Sequence, residues 1–293
     1  MSVRRATAVW CGLLLAAAAH AEVAVTDDAG SRVALPAPAQ RIVSLAPHVT
    51  ELLFAAGADE QIVGAVEYSD YPPAARAIPR VGGYGAIDLE AILALNPDLV
   101  VGWASGNDPN GLRRLKQLGL AVFASEPHKL VDIASIIERL ALLAGTQAAG
   151  SRAAEDFRAR LASIVSRYAG RDEVSVFYTI WNRPLMTVND MHLISDVIRT
   201  CGGRNVFGDL RALAPTVSEE EVVRLAPEAI VASGMGETRP DWLDDWKRWP
   251  ALTAVRRGNL YFIPPDLIQR PTPRVLEGAE RMCAALEDAR RKR

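Results

Sequence analysis

Several short runs of this chain carry no polar residue at alternate positions. Leu99-Val100-Val101-Gly102-Trp103 and Ala229-Ile230-Val231-Ala232 are the clearest. A strand of that kind has to be covered on both faces, which is the condition of a parallel sheet with helices above and below it. The pattern predicts strands over 41–45, 62–66, 99–103, 120–124, 174–180, 229–232 and 260–263. Helical patterns fall between them, over 47–57, 89–95, 111–118, 130–144, 193–200, 219–225 and 240–247, with a terminal helix over 273–290. Ahead of all these, residues 22–35 read as a small hairpin turning on Asp28-Ala29-Gly30.

The alternation is broken once. Residues 146–168 contain no proline and one glycine, Gly150, near the start, and their middle is rich in Ala, Glu, Arg and Leu. This reads as a single helix of about 20 residues, roughly 30 Å long. The predicted fold class is therefore α/β: two Rossmann-like lobes with mainly parallel sheets, joined by one long rigid α-helix, with a ligand cleft between the lobes. The expected division is 22–145 for the N-terminal lobe, 146–170 for the connecting helix and 171–293 for the C-terminal lobe. The ends of parallel strands are where such sheets bind ligands, and a helical connection permits only small movements between lobes.

Residues 1–21 have a different character. Arg4 and Arg5 precede an apolar stretch too short to span a membrane, and Ala19-His20-Ala21 has the small-x-small form of a cleavage site. This is the layout of a secretory signal peptide, so the expected location is the periplasm. Cys11 sits too early in the stretch, behind too poor a lipobox, to suggest a lipoprotein. Cys201 and Cys283 remain, an even pair in an exported chain, which favours a disulfide over two unpaired buried thiols. Acids slightly outnumber bases, 35 to 33, and no basic block exists, which argues against a nucleic-acid partner.

Most catalytic signatures are missing. There is no P-loop, no Gly-x-Ser-x-Gly elbow and no His-Glu-x-x-His, and Gly234-Met235-Gly236-Glu237-Thr238-Arg239 lacks the third glycine of a dinucleotide fingerprint. His48, His128 and His192 are well separated and read as solvated or capping residues rather than metal ligands. The expectation is no catalytic residue, no cofactor, no metal and no enzyme activity. Instead, aromatic and polar residues collect after the strands: Tyr68-Ser69-Asp70-Tyr71-Pro72, Gly82-Gly83-Tyr84-Gly85, Trp103-Ala104-Ser105-Gly106-Asn107, Trp181-Asn182-Arg183-Pro184, and Asp266-Leu267-Ile268-Gln269-Arg270. Flat aromatic surfaces beside amides and hydroxyls suit a large, planar, partly apolar ligand better than a bare ion or phosphate.

These segments resemble a known family. Arg41-Ile42-Val43-Ser44-Leu45-Ala46-Pro47 followed by Thr50-Glu51-Leu52-Leu53 is similar to the opening of the helical-backbone periplasmic binding proteins of metal-chelate importers. Tyr68-Ser69-Asp70-Tyr71-Pro72, Asn96-Pro97-Asp98-Leu99-Val100 and Cys201-Gly202-Gly203-x-Asn205-x-Phe207 resemble its corrinoid-binding members, over residues 40 to 288. The resemblance implies capture of cobalamin or a related corrinoid and delivery to the membrane permease dimer of an ABC importer, by a monomer. It implies ligand contact by Tyr68, Tyr84 and Trp103 and by Asp266, Leu267, Ile268, Gln269 and Arg270; Trp181 joins these candidates by its place after a strand. Leu267 and Ile268 replace aromatics there. It also implies the disulfide between Cys201 and Cys283, and docking through Glu90 and Glu220, with an ambiguous register among Glu219, Glu220 and Glu221. Haem or an iron siderophore, bound on the same fold, are the alternative ligands.

Overall fold

A computed structural model describes residues 22–83, 85–234, 236 and 238–293. The signal-peptide reading of residues 1–21 and the site residue Tyr84 lie outside them. The chain opens on the expected hairpin, β1 (Val23–Thr26) and β2 (Arg32–Leu35), paired antiparallel. Asp27 ties this hairpin to the body of the lobe. Its carboxylate accepts the amides of Ser31 and Ala124.

The N-terminal lobe follows as β3 (Ile42–Ser44), α1 (Pro47–Ala55), β4 (Ile62–Ala65), a two-residue hairpin of β5 (Gly82–Gly83) and β6 (Ala86–Ile87), α2 (Leu89–Ala94), β7 (Leu99–Trp103), α3 (Pro109–Gln117), β8 (Ala121–Ser125) and α4 (Leu130–Ala144). Its sheet has the order β4-β3-β7-β8, every neighbour parallel. Side-chain alternation divides the sheet between two cores. Ile42, Leu99, Val101 and Phe123 pack under α1 and α4. Val43, Val100 and Val122 pack with Ile92 of α2 and Leu112 and Leu115 of α3. Burial on both faces is what the unbroken apolar runs require.

Next comes α5 (Gln147–Tyr168), a 22-residue helix. Its start is packed tightly against the N-terminal lobe. A Cβ at Gly150 would lie 2.2 Å from Ala141 Cβ of α4, so glycine lets the two helices touch backbone to backbone. The C-terminal lobe repeats the parallel plan. It comprises β9 (Val174–Thr179), the hairpin β10 (Trp181–Asn182) and β11 (Leu185–Met186), α6 (Leu193–Thr200), β12 (Gly203–Asn205), α7 (Glu219–Leu225), β13 (Ala229–Ala232), α8 (Thr253–Arg256), β14 (Leu260–Phe262), α9 (Pro265–Ile268) and α10 (Val275–Arg291). Its sheet order is β12-β9-β13-β14, again all parallel.

One apolar core runs through both lobes. It joins α1 and α4 to Phe157, Leu161 and Ile164 of α5 and continues into α6, β9, β13 and α10. A disulfide between Cys201 and Cys283 fastens the end of α6 to α10. Among the described residues no helix is long and apolar enough to cross a membrane.

The structure departs from the sequence reading in places. Residues 203–205, for which the sequence pattern predicts no strand, form the edge strand β12. The segment 265–268, read as loop, is the short helix α9: Pro265 occupies its first turn, where proline's missing N–H costs nothing. The helix expected over 240–247 is a 3-10 helix, Asp241–Arg248. Leu243 and Trp246, its buried residues, are three apart, which suits three residues per turn.

Candidate ligand-binding cleft

In the N-terminal lobe the chain leaves β3 toward the β4 edge and leaves β7 toward β8, so the strand order reverses between β3 and β7. The carboxyl ends of these two strands are the expected place for a ligand. Pro47 and His48 follow β3 there, and Trp103 ends β7. They form one wall of an open pocket whose other wall is Pro265, Asp266, Gln269 and Arg270 of the C-terminal lobe. A second, narrower pocket continues from Trp103 and Gln269, lined by Glu126 and His128 and by His192, Leu213 and Ile268.

Trp103 is set by its own turn. Its amide donates to Asn107 Oδ1 (2.7 Å), and Asn107 Nδ2 donates to Leu45 O (2.8 Å), which locks the loop onto β3. The indole lies across Gly106 and meets His48 edge-on, with ring centroids 5.2 Å apart. His48 was expected to be solvated or capping. It is buried, because it sits on the inward side of α1 beneath Trp103. Burial, with a further contribution from the Arg270 charge, lowers its pKa to about 3, so it is neutral at ordinary pH. His192 does cap a helix: its Nδ1 accepts the Ile194 amide at the start of α6 (3.1 Å). Burial first, and His128 second, hold it near 4.

The loop after β4 is pinned from below. Thr50 of α1 donates to Ser69 Oγ (2.9 Å), Ser44 bonds Thr50, and Arg80 donates to Ser69 O. That anchor forces Tyr68 into a left-handed conformation, φ 63°, which a bulky residue adopts only when its surroundings impose it. The result is an aromatic ring 69% exposed at the surface. Two residues on, Asp70 reaches Arg270 of the C-terminal lobe at 2.9 Å. Burial would raise the Asp70 carboxyl, but the Arg270 guanidinium outweighs it and holds the pKa below the usual aspartate value.

Beneath these contacts lies a charged cluster. Glu51 of α1 is 3% exposed and takes three bonds from the segment between α9 and α10: Arg274 Nε (2.9 Å) and Nη2 (2.6 Å), and Arg270 Nη1 (3.2 Å). Arg270 Nε faces Asp266 at 3.2 Å, and the Arg274 guanidinium stacks on the Tyr71 ring at 3.8 Å. Further contacts between the lobes come from His128 Nδ1 to Met191 O (3.1 Å) and from the Leu130 amide to Asp196 (2.9 Å).

Of the residues singled out in the sequence, the structure gathers Trp103, Asp266, Ile268, Gln269 and Arg270 at the pockets. Tyr68 stands on the adjoining loop. Leu267 is buried, its carbonyl so close to Gly278 that a Cβ there would lie 2.3 Å away. Trp181 lines neither pocket, and its indole donates to Arg183 O. Glu90 is exposed in the first turn of α2, and Glu220 is exposed in that of α7. The neighbours of Glu220 are engaged: Glu219 pairs with Arg248, and Glu221 closes a capping box with Ser218. The sequence reading missed Glu51 and Arg274 as interacting residues, although both lie in segments it had marked. Among the described residues no group of three or more His, Cys, Asp or Glu could hold a metal ion.

A family profile described as periplasmic binding protein matches residues 42–267. The vitamin B12-binding protein of Vibrio cholerae is 38% identical over 262 residues, covering 89% of this chain and 94% of that protein. That of Yersinia pestis is 34% identical over 254 residues, covering 86% and 89%. The crystal structure of the Vibrio cholerae periplasmic vitamin B12 binding protein superposes with a TM-score of 0.81, covering 86% of this chain and 98% of that one. A periplasmic heme-binding protein from Roseiflexus shares the fold at TM-score 0.72 and 22% identity, over 85% and 98%. With two parallel-sheet lobes around a cleft and a profile match over most of its length, the chain belongs to the periplasmic binding protein family.

Proposed function

We propose that this protein captures cobalamin or a related corrinoid in the periplasm and delivers it to an ABC importer. The observation that carries the reading is the 38% identity to a vitamin B12-binding protein along nearly the whole chain, against 22% for a heme-binding relative of the same fold. The cleft is compatible with it. Trp103 and the exposed Tyr68 offer flat apolar surface, and Asp266, Gln269 and Arg270 offer polar groups to a rim of amides. Tyr84, Leu267 and Ile268 complete the contact set expected from the resemblance, and Trp181 the set expected from its place after a strand.

The work of such a protein is binding without chemistry. We divide it into an N-terminal lobe (22–145), a connecting helix (146–170) and a C-terminal lobe (171–293), behind a cleaved signal peptide (1–21). It acts as a monomer and carries no cofactor of its own. Glu90 and Glu220, one on each lobe, dock on the two subunits of a permease dimer. The first turn of a helix favours a carboxylate, and backbone and Ser218 hydrogen bonds hold the Glu220 carboxyl below its usual range.

Calorimetry with cyanocobalamin, dicyanocobinamide and haem tests the ligand. One site of submicromolar Kd for a corrinoid is expected. An intense Soret band on haem titration, with no corrinoid heat, would replace corrinoid by haem.

A further inference from the structure

We propose that Glu51 is the positioning residue of the cleft: a buried carboxylate of one lobe that aims Arg270 of the other lobe at hydrogen-bond acceptors on the ligand. The identity of the ligand rests on the corrinoid reading above; the geometry does not.

The argument starts from burial. A carboxylate 3% exposed is tolerated only when cations and hydrogen bonds compensate it. Glu51 obtains both from residues more than 200 positions away, Arg270 and Arg274. Arg274 binds it in the two-pronged geometry that guanidinium and carboxylate share, and Tyr71 covers the other side of Arg274. Arg274 and Glu51 thus make a fixed base on which Arg270 is set.

Of the two arginines, Arg270 is the one that lines the pocket, beside Asp266. A guanidinium has five N–H groups. Nη1 serves Glu51 and Asp70, and Nε faces Asp266. Nη2 has no partner among the described residues. Three carboxylates around two guanidiniums keep both arginines charged, and the directions of their bonds leave Arg270 one orientation. An arginine held this way offers a donor edge without losing side-chain freedom on binding. The amide carbonyls on the rim of a corrinoid are acceptors of the kind that edge would meet.

A purely structural role for Glu51 would lower stability and leave recognition alone, so the test separates the two. Cyanocobalamin affinity is measured by calorimetry, and thermal unfolding by circular dichroism, for the wild type, Glu51→Gln, Arg270→Gln and the double variant. Expected are a loss of tenfold or more in affinity for Glu51→Gln and partial recovery in Glu51→Asp, which keeps the charge. In the Arg270→Gln background, Glu51→Gln should cost less than twofold further affinity while still lowering the melting temperature. If Glu51→Gln does not fold, Glu51→Asp in both backgrounds makes the same comparison, with a smaller loss that again vanishes without Arg270. An affinity within twofold of wild type, or an equal loss in both backgrounds, overturns the assignment. Wild-type protein that binds no corrinoid at all overturns the ligand reading, and the proposal falls with it.

Discussion

Gly106 supports Trp103, and replacing it with alanine is a direct probe of the cleft. A Cβ at residue 106 would sit 1.9 Å from Cε3 of the Trp103 ring and 2.3 Å from Cδ2 and Cζ3. Carbon atoms in contact prefer about 3.5–4.0 Å, so the ring must withdraw by roughly 1.5–2 Å. Three ring atoms are blocked at once, so the indole has to tilt as a whole, away from the turn. It is only part-buried, and an off-rotamer side chain costs about 0.5–1.5 kcal/mol, so the protein should remain folded with a modest drop in melting temperature. Binding should suffer more clearly. Trp103 borders both pockets and rests on His48, so a tilted ring spoils the flat wall. Losing one aromatic contact of about 0.5–1.5 kcal/mol weakens Kd by roughly two- to tenfold. Calorimetry with cyanocobalamin reads the affinity, and near-ultraviolet circular dichroism reads the ring's environment without any ligand. Trp103→Ala serves as the reference, and adding Gly106→Ala to it should change nothing further. Wild-type affinity together with an unchanged aromatic spectrum in Gly106→Ala would refute the reasoning.

Other perturbations follow from the same geometry. His48 and His192 are held near 3 and 4 in the fold, whereas in the unfolded chain they take a proton near 6.5. The unfolded state then binds more protons between about pH 6.5 and 4, so stability should fall as pH drops through that window and be unaffected by these groups above it. The slope is at most about 1.4 kcal/mol per pH unit for each histidine, and His48→Leu should remove about half of it in denaturant titrations; an unchanged slope would show that His48 takes no part. Cys201 and Cys283 close a span of 82 residues, so their joint replacement by alanine should lower unfolding free energy by up to about 4 kcal/mol. A loss under about 1 kcal/mol would mean the unfolded chain gains little freedom from the cut. Reversing Glu90 and Glu220 together to arginine should abolish uptake in cells and leave corrinoid affinity within twofold; lost affinity would contradict the docking role.

Much of the architecture was legible in the sequence because the strands are short, apolar and punctuated. The run 99–103 could hardly be anything but a strand covered on both sides, and the proline-free stretch 146–168 reads as one helix. Edges were harder to see. Strand β12 is three residues long and carries Arg204 outward, so it has no periodicity to detect. The dipeptide Pro264-Pro265 looks like a turn, yet its second member starts α9. At the site, the aromatic and polar residues after the strands stood out by position. Glu51 did not. Helix α1 places it among apolar neighbours, and nothing local indicates partners that arrive 219 and 223 residues later. Nor does sequence reveal that Tyr68 is held in a left-handed conformation, since that follows from hydroxyls of Ser44, Thr50 and Ser69 meeting below it.

The connecting helix α5 has a mechanical consequence. Its first turns touch α4 at Gly150, and one face of its later turns, Ala154, Phe157, Leu161 and Ile164, is held in apolar packing that extends into α6 and α10. A beam clamped along most of its length does not swing; it bends, and bending it strains the packing on both sides. Any force that spreads the lobes therefore does elastic work on the whole molecule. Thermal agitation alone supplies little of that work, so the cleft should exchange ligand slowly when the protein is alone. Release then calls for an external load applied far from the beam, and α2 and α7, which carry Glu90 and Glu220, offer one lever arm on each lobe.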